Sequence, residues 1–120
     1  SNLDQEDLLA LDAIYRFFSD EHFNVTIVNV PDKKHSKSGR QAADALKGYC
    51  ELHYPRFTFT VADLSLSSIV EDFNAIQQRQ PVDLIAVPNK KKNIFARLFN
   101  PSLAHRLLFH SDIPMMVIPV

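Results

Sequence analysis

The chain is 120 residues long, the size of one ordinary domain and too short to hold a second hydrophobic core. Hydrophobic residues make up 46% and charged residues 22%, and no apolar run approaches the roughly 20 residues that span a bilayer, so the composition is that of a soluble globular protein with no direct membrane insertion. A lone cysteine, Cys50, excludes an intrachain disulfide framework, and the amino terminus lacks the basic-then-apolar pattern of a signal peptide, which makes a reducing cytoplasm the expected setting. Ser1-Asn2 reads as the remnant of a cleaved purification tag, leaving residues 3–120 as the domain.

In chain order, Asp4 to about Asp20 predicts a helix, with Leu8, Leu11, Ile14 or Tyr15, and Phe18 on one stripe and acidic residues in the first turn. Asn24–Val30, "NVTIVNV", is rich in β-branched residues and stops at Pro31, which predicts a strand followed by the polar loop "PDKKHSKSG". A second helix is expected from about Arg40 to His53, with Ala42, Ala45, Leu46 and Tyr49 at helical spacing, and "RFTFTVA" supplies a second strand. Ser68 with Glu71 fits a capping box, and Ile69, Val70, Phe73 and Ile76 give a third helix its inner face. Asp83–Pro88, "DLIAVP", predicts a third strand. A fourth helix follows from Asn100 as N-cap and Pro101 at the first helical position, lined by Leu103, Ala104, Leu107 and Leu108, and Pro114–Val120 closes the chain as a fourth strand.

Strands alternating with helices of this length imply parallel pairing through right-handed crossovers, hence an α/β fold with an open parallel sheet covered by helices on both faces. The nearly continuous apolar character of the strands agrees with burial on both sides.

Charge is unevenly placed. Lys33, Lys34, Lys37 and Arg40 fall within residues 33–40, and Lys90, Lys91, Lys92 and Arg97 within 90–97, with no acidic residue in either segment; together they carry +8, against −9 for the rest of the chain and −1 overall. Both segments follow strands, where the loops of an α/β sheet form its usual ligand crevice. A lysine run is more often a solvated surface than an anion site, and both readings stand at this point. Interleaved aromatic residues of a nucleic-acid stacking platform are missing from these loops, and the overall charge is slightly negative, so no nucleic-acid partner is expected.

The last third, "DLIAVPNKKKNIFARLFNPSLAHRLLFHSDIPMMVIPV", carries a resemblance that extends over almost the whole chain: it resembles the universal stress proteins, a stress-response family. The resemblance implies a Rossmann-like parallel sheet in the order 3-2-1-4-5. ATP-binding members carry a glycine, two residues, a second glycine, nine residues, then Gly-Ser or Gly-Thr after the fourth strand. That spacing lays the first glycine on Pro88, the second on Lys91, the third on Pro101 and the hydroxyl residue on Ser102, so the register fits while all three glycines are replaced. Proline removes an amide donor and lysine adds bulk, which disfavours an amide cradle for a triphosphate. Ser102 is equally ordinary helix-start chemistry. Val30 falls where the ATP-binding members contact adenine through the backbone. The family's first strand, with its acidic residue, has no counterpart here; the slot between Asn24–Val30 and Asp83–Pro88 closes by direct pairing, reflects a lost strand, or is filled by a partner segment.

These readings give the candidate ligand-binding residues Val30, Lys33, Lys34, Pro88, Lys90, Lys91, Lys92 and Ser102, with no cofactor required and ATP disfavoured. The resemblance also implies a homodimer through the last strand, with Met115, Met116, Val117 and Ile118 at the interface. No catalytic or metal constellation is evident. His105 and His110 lie five apart, about 140° around a helix, whereas ligands on one face need a spacing of four. Cys50 and His53 are three apart with no acidic orienter nearby, and Asp63 and Asp83 sit at strand ends where capping and turn roles are commoner. The expected function is a non-enzymatic module working through dimerisation and a small anion. A nucleotide binder using lysine side chains, and a regulatory domain of a larger protein such as a transporter, are the alternatives.

Overall fold

Each strand expected in the sequence is present and pairs in parallel with another. The structure is a computed structural model and describes residues 8–31, 36–89 and 113–119. In chain order these form α1 (Leu9–Phe17), β1 (Asn24–Asn29), α2 (Ser36–His53), β2 (Thr58–Asp63), a 3-10 turn at Leu66–Ser68, α3 (Ile69–Arg79), β3 (Leu84–Asn89) and β4 (Met115–Pro119). The fourth helix expected after Asn100 lies outside the described residues. The sheet has four strands in the order β2-β1-β3-β4, all parallel, which is the open α/β sheet the alternation predicts.

Strand side chains alternate between two cores because successive residues point to opposite faces. On one face Val25, Ile27, Phe59, Leu84, Ala86 and Ile118 meet Leu8 at the start of α1, Leu11 within it, and Ala43, Leu46 and Cys50 of α2. On the other, Val28, Ile85 and Val87 meet Leu64 and the α3 residues Phe73 and Ile76. Helices thus cover both faces, and β1 is buried from Val25 to Asn29.

Three local expectations are corrected. The buried stripe of α2 is Ala43, Leu46 and Cys50, while Ala42 and Tyr49 are half-buried and Ala45 is exposed; the helix begins at Ser36, four residues early, and its face is turned by about one residue. Phe18 leaves the inner stripe of α1: it is 40% exposed and packs edge-on against Phe17 and Phe23, because α1 has ended at Phe17. Ser68 is the N-cap residue of α3 but makes no side-chain cap, and Glu71 is exposed. Asp72 does the work instead, accepting the Ser65 N–H at 2.8 Å and the Ser68 hydroxyl at 3.2 Å, because the 3-10 turn shifts the first free amide upstream.

Of the three possibilities for the slot between the central strands, direct pairing is the one observed. Val25, Thr26 and Ile27 of β1 lie opposite Leu84, Ile85 and Ala86 of β3.

Candidate functional site at the carboxyl edge of the sheet

The β1–β3 ladder stops early, and the reason is chemical. Both strands run on, with Val28 and Asn29 paired outward to Ala62 and Asp63 of β2, and Val87, Pro88 and Asn89 paired outward to Val117, Ile118 and Pro119 of β4. Between β1 and β3 the pairing ends at Ile27 opposite Ala86. In this register the next bridge asks residue 88 for an N–H directed at β1, and Pro88 has none. Pairing between the two central strands therefore ends short of the carboxyl edge of the sheet, leaving an opening in the hydrogen-bond ladder there. This is also the point where strand order reverses, since β1 leads out to β2 on one side and β3 to β4 on the other.

A polar cluster joins the carboxyl ends of β1 and β2 to the start of α2. Asn29, 8% exposed, donates through Nδ2 to Asp63 Oδ1 at 3.0 Å. Arg40, in the second turn of α2, donates through Nη1 to the same oxygen at 3.1 Å, and its Nε lies 3.4 Å from Asp44 Oδ1. The Asn29 backbone is pinned by the Leu64 N–H, which donates to its carbonyl at 2.8 Å. Gly39 permits the approach of α2: a Cβ there would sit 3.1 Å from Asn29 Oδ1, closer than a side chain sits comfortably. Strand β1 thus fixes the amide, β2 brings the carboxylate through the Asn29–Asp63 register, and the start of α2 carries the guanidinium.

Of the candidate ligand residues, Val30 and Pro88 are described. Val30 is half-buried against the second core, and Pro88 is half-buried in β3 opposite Ile118. Lys33, Lys34, Lys90, Lys91, Lys92 and Ser102, with His105 and His110, lie outside the described residues. Sequence reasoning missed Asn29 and Gly39, counted Arg40 only as charge, and gave Asp63 a turn role. Asp83 does fill such a role, accepting the Asn24 N–H at 2.7 Å. Two signals were available: Asn29 is an amide flanked by Val28 and Val30 at the end of a strand, and Gly39 is one of two glycines in the chain.

Among the described residues the last strand is an edge of the sheet, and three of its apolar side chains pack into the chain's own cores. Ile118 is buried in the first core, Met116 packs against that core and Met115 against the other, so the flank of β4 that no described strand pairs with offers main chain.

The Cys50 thiol is fully buried; burial, with Glu51 adding, pushes its pKa up to about 12. It is held protonated at neutral pH, and the His53 ring is stacked on Tyr49 at 4.1 Å. Among the described residues no group of three or more His, Cys, Asp or Glu side chains gathers to hold a metal, and no helix is long and apolar enough to cross a membrane.

No family model, curated protein or solved structure matches this chain.

Proposed function

We propose that this chain is a non-enzymatic module similar to the universal stress proteins, acting as a homodimer and taking a compact polyanion at the carboxyl edge of its sheet. The observation that carries this reading is the sheet order with its opening between β1 and β3. Removing the first strand from the family order 3-2-1-4-5 and renumbering the rest gives 2-1-3-4, the order seen here. The break in the ladder lies at the switch point where ligands bind in open α/β sheets, and the two sequence segments rich in lysine follow β1 and β3 in the chain. Pro88 supports the loss of amide-cradle chemistry, because it takes away a donor at the first glycine position.

Lysine side chains act as mobile point charges, so binding is weak and is screened over about 8–10 Å at physiological ionic strength. Calorimetry with pyrophosphate and ATP at low and physiological salt tests the site. The expected result is weak binding of both that falls steeply with salt, with ATP gaining little over pyrophosphate. Salt-insensitive, adenine-selective binding would replace this reading with a nucleotide binder, and absence of any binding at low salt would remove the anion site. The dimer forms through the free main-chain flank of β4, an edge that needs cover. A monomeric mass in solution at micromolar concentration refutes that part.

A further inference from the structure

We infer that the Asn29 amide and the Arg40 guanidinium form an oxyanion subsite for a phosphoryl group, and that the Asp63 carboxylate occupies it in the free protein as an internal competitor. Two donors from different elements, Asn29 Nδ2 on β1 and Arg40 Nη1 on α2, converge on one oxygen, Asp63 Oδ1, at 3.0 and 3.1 Å. A guanidinium and an amide aimed at a single oxygen is the arrangement that holds phosphate as well as carboxylate.

Asn29 does not depend on Asp63 for its position, and Arg40 has an alternative partner. Asn29 is buried, its carbonyl takes the Leu64 N–H, and its amide oxygen rests against Gly39. Arg40 keeps a second carboxylate within reach, Asp44, whose Oδ1 lies 3.4 Å from Nε in a pair as open to water as the one with Asp63. Asp63 is the replaceable member: its side chain is 52% exposed and that of Arg40 45%, and ion pairs so open to water contribute little to stability. A phosphoryl group carrying more negative charge than a carboxylate, reaching the solvent-exposed Asp63–Arg40 pair at the carboxyl edge, can take over both donors. Asp63 then sets the threshold for binding, and the site favours highly charged ligands over monoanions.

This inference rests on the anion reading of the carboxyl edge, and pyrophosphate calorimetry at low salt on four variants separates the two. Asp63→Asn keeps the size of the side chain and removes the competing charge, so affinity should rise by about three- to tenfold, more than for Asp44→Asn. Arg40→Gln, at a half-exposed position that tolerates change, should weaken binding by a similar factor and cancel the gain when combined with Asp63→Asn. Equal gains for Asp63→Asn and Asp44→Asn would reduce the effect to net charge and overturn the subsite. So would a gain that persists without Arg40. Unchanged affinity in Asp63→Asn with clear binding by the unaltered protein overturns the internal competitor and leaves the anion site standing. No binding by any variant overturns both.

Discussion

Two arginines at opposite ends of the sheet show how differently one residue type can be used. Arg56, at the amino edge, is locked. Its guanidinium donates to the carbonyls of Tyr15, Phe18 and Glu21, the last two at 2.8 Å, and stacks over the Tyr15 ring at 3.9 Å. It thereby satisfies carbonyls at and beyond the end of α1, where a cation also meets the negative end of the helix dipole. Arg40, at the carboxyl edge, makes two half-exposed ion pairs and no bond to the main chain among its described contacts. The amino edge is built to be rigid, and the carboxyl edge keeps a charge that can change partners.

The largest test of the locked end is alkaline. Cys50 and Tyr54 both lie there, and burial pushes each up to about 12, with Glu51 adding to the first and Asp12 to the second. Their ordinary values are 9.0 and 10.0, so in each case the folded state holds its proton more tightly than the unfolded chain. The stability they contribute is therefore fully present below pH 9 and is lost as the pH rises towards 12, at about 1.4 kcal/mol per pH unit for one fully buried group. For Cys50 the loss reaches about 4 kcal/mol by the top of that window. Urea titrations at pH 8, 9.5 and 10.5 should show falling midpoints, and Cys50→Ala should remove the part of the slope between 9 and 10. A flat profile to pH 10.5 would mean that the thiol is far less shielded than its position implies.

Next in size is the contrast between the arginines themselves. Arg56→Ala should cost about 2–4 kcal/mol, from lost charged hydrogen bonds and the cation–π contact, whereas Arg40→Gln should cost less than about 1 kcal/mol. Chemical denaturation of the two variants side by side decides it. Similar losses for both would erase the distinction between the two edges.

These assignments also mark what the sequence could reveal. Alternating apolar runs made the four strands, their parallel pairing and the two-sided cover legible, because a strand buried on both faces reads almost the same wherever it sits in a sheet. The face of α2 was read one residue away because Ala42, Ala43 and Ala45 carry nearly equal hydrophobic weight, and only the burial of Ala43 in the first core distinguishes them. Arg56 gave no signal, since its partners lie 35 to 41 residues away. At the carboxyl edge the residue types were visible, yet bringing Asp63 to Asn29 needs the β1–β2 register, which is a property of the assembled sheet. Pro88 was read as a lost donor for a nucleotide loop, and its bearing on the β1–β3 ladder appeared only once those strands proved to be neighbours.

That ladder supplies a third measurement. Amide exchange should be slow through Val25–Ile27 and Leu84–Ala86, which pair across the centre, and at least about 100-fold faster at Val30, beyond the last bridge. Uniform protection from Val25 to Val30 would show that the sheet stays zipped to its carboxyl edge and that Pro88 opens nothing.

The smallest effects come from the two glycines, both within α2. A Cβ at Gly48 would meet nothing within 4 Å, so Gly48→Ala gains helix propensity without a clash and should stabilise the protein by about 0.5–1 kcal/mol. The same replacement at Gly39 earns no such gain, because its Cβ would press on Asn29 Oδ1 at 3.1 Å and Asn29 is too buried to move aside freely. Gly39→Ala should therefore be neutral or destabilising by up to about 1 kcal/mol, and it should displace the amide that faces Asp63. Thermal melts of the two variants read the difference directly, and pyrophosphate calorimetry on Gly39→Ala reads its consequence at the site. If Gly39→Ala stabilises as much as Gly48→Ala, then α2 does not bear on Asn29, and the convergence of Asn29 and Arg40 on one oxygen loses the support that holds it in place.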